Sequence, residues 1–176
     1  MSLTDNHFQI FDLAVSFEIN QEELARRYRA MQTAIHPDKF ANAPDQERRL
    51  ATQKAAQANE AFQTLKEPLA RARYLLKLQG IDLNAETSVA MDTTFLMTQM
   101  ELRETLEEIK QGAQSMDFLN HFLSNVEQHI EDLKEGLNHQ FTDNDFQAAS
   151  DSVRRWQFFT RLYEEALALE EKFINE

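Results

Sequence analysis

His36, Pro37 and Asp38 stand together in the stretch AIHPDKFANAP, residues 34–44 of a 176-residue chain with only three prolines. A histidine and an aspartate in such proximity could serve as a general base and its orienting carboxylate. That chemistry needs a nucleophile or a glycine-rich phosphate loop beside it, and neither accompanies the pair. Two residues apart across a proline, the two side chains are expected to diverge. Metal binding is the second possibility. Di-iron helical bundles place Glu-x-x-His pairs on inward faces, and the sequence contains none. Glu135 and His139 lie one helical turn apart, but a lone pair of this kind reads as surface neighbours. His121 and His129 read as helix-surface or boundary residues. With no cysteine in the chain, disulfides and thiolate sites for zinc or an iron–sulfur cluster are excluded. The expectation is a protein without catalytic residues, metal ligands or cofactor.

Docking is the third possibility, and it depends on the elements that present the tripeptide. Asn20 followed by Glu23 is a helix-start signature. From there Leu24, Tyr28, Met31 and Ile35 recur at helical spacing, with Arg26, Arg29 and Thr33 on the opposite face. Pro37 lacks an N–H and disfavours the α conformation at His36, so the helix stops there. A second helix from about Asp45 to Leu65 carries Leu50, Ala58, Ala61, Phe62 and Leu65 as its expected core. The alanine-rich run AAQANEA suits close approach to an antiparallel partner. The tripeptide then sits at the tip of a helical hairpin, with Arg26 and Arg29 on a free face, Arg27 on its flank and Lys39 just after it. Such a surface suits an acidic partner. Spacing alone leaves this equal to a plain helix stop with solvated arginines.

Composition sets the frame. Glycine and proline total six, and glutamate, glutamine, alanine and leucine abound, so the chain is expected to be all-α. The start, MSLTDNHFQIFDL, lacks a signal-peptide pattern. No apolar run reaches the roughly 18 residues of a membrane span, and a cytoplasmic protein is expected. Residues 1–78 carry 11 Lys/Arg against 10 Asp/Glu, while residues 79–176 carry 7 against 20. The acidic balance disfavours nucleic acid and anionic membranes as partners, although a solvated helix face would read the same way.

Past a short apolar segment, HFQIFDL, and the hairpin, Pro68 opens a helix that Gly80 closes. After a connector, Asp92 can cap a helix running to Gly112. A helix from Met116 to Gln140 shows a heptad seam at Leu119, Leu123, Val126, Ile130, Leu133 and Leu137. The last helix carries Phe146, Ala149, Val153, Trp156, Tyr163 and Leu167, so the second half is expected to be a three-helix antiparallel bundle. The helix that begins after Asp92 has two apolar faces. With Phe95 at zero, Gln99, Leu102, Leu106 and Ile109 lie within about 40° of it and form a complete core stripe. Leu96, Met97 and Met100 fall at about 100°, 200° and 140°, with Glu104 among them and Glu101 at their edge. Either this face packs on the first half or it is an exposed anchor surface with an acidic rim. Phe158 lies more than about 100° off the stripe of its own helix, as do Leu162 and Leu169, which could simply widen the core.

RRYRAMQTAIHPDKF followed by NEAFQTLKEPLARARYLL resembles a J domain, whose signature is the tripeptide at 36–38. FLMTQMELRETLEEI resembles the C-terminal domain of the HscB type of J-protein, the co-chaperone of iron–sulfur cluster assembly, and the likeness covers nearly the whole chain. The resemblance implies a J domain over 1–80, a connector over 81–91 and a scaffold-binding bundle over 92–176. It implies that His36, Pro37 and Asp38 contact a DnaK-type chaperone (HscA) near its nucleotide-binding domain and interdomain linker, stimulating ATP hydrolysis. Arg26, Arg27 and Arg29 match the basic docking helix. Leu96, Met97, Met100, Glu101, Glu104 and Phe158 match the positions that bind the cluster scaffold protein IscU. The glycine-rich segment and cysteine-ligated zinc of DnaJ are absent, which disfavours a general adaptor for unfolded clients, the alternative reading. The start of the sequence shows neither the targeting peptide nor the N-terminal cysteine motif of mitochondrial relatives, so a bacterial cytoplasm is expected. FDLAVSF lacks the glycine often found in the first helix, and Met100 stands where leucine is frequent, a change that conserves volume.

Overall fold

A computed structural model describes residues 2–40, 42–83, 92–112 and 116–175, except for the side chains of Pro37 and residues 173–175. Seven α-helices and one 3₁₀ turn occur among the described residues, and no strand does. The chain divides into two compact units, Met1–Ile81 and Asp82–Glu176. Most of the expected connector, residues 84–91, lies outside the described residues.

The first unit opens with α1 (His7–Ile10), closed at its start by a reciprocal cap in which Gln9 N–H donates to Asn6 Oδ1 and Asn6 N–H to Gln9 Oε1. Phe8, Ile10 and Phe11 are buried. Helix α2 (Gln21–Ile35) is capped by Asn20, whose side chain accepts from Glu23 N–H at 2.9 Å. It ends where the sequence requires: His36 turns to ψ 130°, and Pro37–Phe40 forms the 3₁₀ turn. Helix α3 (Asp45–Lys66) returns antiparallel to α2. Gln21 Nε2 donates to the Lys66 carbonyl, and Tyr28 stacks on Phe62 at 4.0 Å while its hydroxyl donates to Asn59 Oδ1. Ala51, Ala58 and Ala61 are buried between the helices, and small side chains of this kind let the backbones approach closely.

Two expectations for α3 are corrected. Leu50 is exposed, and Ala51 takes the core position, because Leu50 lies about 100° from the Ala51–Ala58–Leu65 line. Phe62 is only half-buried, its ring face covered by Tyr28 rather than by the core.

Helix α4 (Pro68–Leu78) has Pro68 in its first turn. Gly80 at φ +77° closes it, with Ile81 N–H donating to the Leu76 carbonyl and Gly80 N–H to that of Lys77. Glycine suits this left-handed position because it lacks a Cβ. On α4, Arg71 is buried, with its guanidinium over the Phe17 ring at 5.3 Å. Its Nε donates to the Phe17 carbonyl at 2.6 Å and its Nη1 to the Leu65 carbonyl at 2.5 Å. Burial pulls its pKa down to about 10, which leaves the side chain charged at neutral pH. The Leu65 carbonyl lies in the last turn of α3, where intrahelical donors run out. Arg71→Met is expected to remove the guanidinium donor from both carbonyls and destabilise this unit by about 2–3 kcal/mol. Urea denaturation read by circular dichroism measures it, and an unchanged midpoint would show that the bonds contribute nothing net.

The second unit is an up–down–up bundle of α5 (Thr93–Lys110), α6 (Met116–Thr142) and α7 (Phe146–Asn175). Asp92 caps α5 by accepting from Thr94 N–H. A compact turn joins α6 to α7. Asn144 adopts φ +59°, Asp145 N–H donates to the Gln140 carbonyl, and Asp145 Oδ1 accepts from Ala148 N–H to begin the next helix. The α6 seam holds, with Leu119, Leu123, Val126 and Leu137 buried and Ile130 and Leu133 half-buried.

The stripe of α7 is shifted from the expected one. Ala149, Val153 and Trp156 are buried, but the line continues through Phe159, Leu162 and Ala166, leaving Tyr163 half-buried and Leu167 exposed. Packed between two helices, α7 buries a wider face than one stripe. The Tyr163 hydroxyl donates to Glu127 on α6, which holds its pKa up at about 12.

Candidate functional site

At the tip of the α2–α3 hairpin, His36 and Asp38 do not diverge as expected. The 3₁₀ turn, in which Lys39 N–H donates to the His36 carbonyl, folds Asp38 back toward the imidazole. Asp38 N–H donates to His36 Nδ1 at 3.3 Å, and Asp38 Oδ2 lies 3.5 Å from the same nitrogen. Both side chains remain open to water, His36 at 58% and Asp38 at 91%, so the pair makes a fixed, exposed corner rather than a water-excluded reaction centre. Below it an open cleft of about 900 Å³ runs between α2 and α3, with Ile35, Ala55 and Ala58 on its walls and Arg29 and Lys39 among its lining residues.

The cations around this corner differ in kind. Arg29 and Lys39 are exposed. Arg26 is also exposed, and its guanidinium meets Glu23 at 2.7 Å. Hydrogen bonds from Arg26 and Arg27 hold the Glu23 carboxyl below its usual range. Arg27 faces inward to its own chain. Its Nη1 donates to the Phe11 carbonyl at 2.8 Å, the Asp12 carbonyl at 2.6 Å and Asp12 Oδ2 at 3.0 Å, and its Nε donates to Glu23. Those carbonyls terminate α1, and Asp12 sits at φ +50°. Arg27 therefore clasps the end of α1 to α2. A cap contributed from fifteen residues away has no local sequence signal.

On α5 the second apolar face is exposed. Leu96, Met97 and Met100 show 40%, 60% and 64% of their surface, whereas Phe95, Leu106 and Ile109 are buried. Glu101 and Glu104 are exposed beside them. Phe158 is half-buried where α7 meets α5, edge-on to Phe95 at 5.7 Å and to Phe159 at 5.4 Å. Arg103 lies over the Phe158 ring at 5.7 Å and reaches Glu165 at 3.6 Å. It stands at about 80° on α5, the same side as Leu96. Arg155 lies over Phe95 at 5.0 Å and pairs with the capping Asp92 at 3.5 Å, and Lys110 reaches Glu165. Cations thus line the α5–α7 seam inside an acidic unit and hold α5 in register beneath its exposed face. Sequence periodicity missed Arg103 and Arg155 because their partners lie on another helix.

Among the described residues no three His, Cys, Asp or Glu side chains converge as a metal would require, and no helix is long and apolar enough to cross a membrane.

The family described as HSCB C-terminal oligomerisation domain matches residues 91–167. The chain is 39% identical over 173 residues to the co-chaperone protein HscB homolog of Shewanella sp. (strain ANA-3), spanning 97% of this chain and 99% of that one. The chain belongs to the HscB co-chaperone family. Solved structures agree. Chaperone HscB from Vibrio cholerae is similar with a TM-score of 0.84 and 39% identity, covering 96% of this chain and 99% of that one. The human co-chaperone protein HscB is similar with a TM-score of 0.88 and 28% identity, covering 97% and 84%. The fold is therefore that of an HscB co-chaperone, an N-terminal J domain followed by a C-terminal helical bundle.

Proposed function

We propose that this HscB-family chain is a two-site adaptor that delivers an IscU-type iron–sulfur scaffold protein to an HscA-type chaperone of the DnaK family, in a cytoplasm, and makes or breaks no bond itself. The observation that carries the reading is the exposure of Leu96, Met97 and Met100 on a helix whose opposite face already fills the bundle core. Large apolar side chains gathered on one free face mark an interaction surface. Burying them in a partner contributes on the order of 1.5–3 kcal/mol each, set against an association cost of about 4–15 kcal/mol. That balance gives a transient complex, suited to delivery. Glu101 and Glu104 supply an acidic rim for basic groups of the scaffold, and Phe158 closes the patch from α7.

The other surface is the His36–Pro37–Asp38 corner. Arg26, Arg29 and Lys39 attract an acidic face of the chaperone and raise the encounter rate. Arg27, though in the same basic run, contributes by clasping α1 in place. With both partners on one chain, the scaffold is held at high effective concentration beside the chaperone while His36 and Asp38 engage its ATPase.

The rival reading is an adaptor for unfolded clients in general. Purified chain titrated with folded scaffold and, separately, with an unfolded model polypeptide separates the two. Saturable binding of the scaffold alone is expected, and tighter binding of the unfolded polypeptide would replace this reading with the rival.

A further inference from the structure

Two of the side chains on the α5 face are thioethers, and they are more exposed than any other large apolar residue described: Met97 at 60% and Met100 at 64%. Met31 and Met116 are half-buried. Met97 and Met100 are three residues apart on α5, so they are neighbours on one helical surface. Each has a glutamate four residues on, Glu101 and Glu104 respectively, and both glutamates are exposed. Leu96, the third anchor, is the least exposed of the three and cannot be oxidised under mild conditions. The apolar character of this surface therefore depends largely on two oxidisable sulfurs in open solvent.

We infer that Met97 and Met100 form a reversible oxidation site that switches off the scaffold-binding face. The inference rests on the scaffold reading above. The co-reactant is a peroxide. The sulfur lone pair attacks one peroxide oxygen, the O–O bond breaks, and an S–O bond forms. With hydrogen peroxide the other oxygen leaves as water once protons are redistributed. The sulfur is oxidised by two electrons and the peroxide is reduced by two. The product sulfoxide is polar and chiral where the thioether was flexible and apolar. Its oxygen must then be dehydrated on binding, beside a carboxylate that already repels negative partial charge. Two such groups on a three-residue anchor remove most of the apolar contact. A thiol-dependent reductase reverses the step: two thiols are oxidised to a disulfide, the sulfoxide oxygen leaves as water, and the thioether face is restored.

The test is mild hydrogen peroxide treatment of the intact chain, with peptide mapping of every methionine and titration against purified scaffold. Met97 and Met100 are expected to oxidise before Met31 and Met116, and scaffold affinity to fall by at least about tenfold. Stimulation of the chaperone without scaffold should be unchanged, which separates the effect from unfolding. Methionine sulfoxide reductases acting on both epimers should restore affinity. The M97L/M100L variant should bind the scaffold and keep its affinity through the same treatment. Oxidation of both residues with unaltered affinity would overturn the inference and leave the scaffold reading standing. So would an equal loss of affinity in M97L/M100L, which would place the damage elsewhere. If the untreated chain fails to bind the scaffold, the underlying reading fails and the inference with it.

Discussion

His36→Gln is expected to abolish stimulation of the chaperone's ATP hydrolysis while scaffold affinity stays at the wild-type value. The imidazole is exposed and packs into no core, so its loss does not unfold the hairpin. What is lost is the corner itself. Nδ1 accepts from the Asp38 amide at 3.3 Å, and this fixes both the ring and the Asp38 turn. Glutamine can offer a carbonyl, but on a longer and freer chain whose ordering costs entropy. Steady-state phosphate release should fall to the unstimulated rate even at about a hundredfold higher co-chaperone concentration, an effect of more than about 2.7 kcal/mol. Retained stimulation would remove His36 from the contact. Simultaneous loss of scaffold binding would point to misfolding or to a wrong division of roles.

The complementary variant, Leu96→Ala with Phe158→Ala, is expected to weaken scaffold binding by about 10²–10³-fold, or roughly 3–4 kcal/mol. Each truncation removes an anchor worth on the order of 1.5–3 kcal/mol when buried in a partner. Phe158 also orders the patch, since its ring stands edge-on to Phe95 and beneath Arg103. The rest of the bundle core, from Leu106 and Ile109 through Val126 and Leu162, is untouched, so the unit should remain folded. Chaperone stimulation at saturating concentration should persist. Isothermal titration measures the first quantity and phosphate release the second. An unchanged scaffold affinity would refute the α5 face as the binding surface.

Much of this was legible in the sequence because it is local. Asn20 and Asp92 cap their helices, Pro37 ends α2, and Gly80 closes α4, since each effect acts within a few residues. The two faces of α5 also followed from periodicity, because α5 is an outer helix with one buried side. What escaped depends on distance or on small residues. The Arg27 clasp joins positions fifteen apart, and Arg103 and Arg155 act across to another helix. The approach of Asp38 to His36 depends on the 3₁₀ turn, which the Pro37 signal does not specify. On α7 the core runs through Phe159, Leu162 and Ala166, a wider face than a single stripe, because the helix packs against both α5 and α6. On α3 the packing falls to Ala51 rather than Leu50, since a small side chain carries little periodic signal.

The central claim is that one chain holds scaffold and chaperone at separate surfaces at the same time. The most direct test measures the chain's affinity for the scaffold with and without saturating ATP-bound chaperone. Equal or tighter binding in its presence is predicted, because the α5 face and the His36 corner share no residue. Displacement of the scaffold by the chaperone would contradict it.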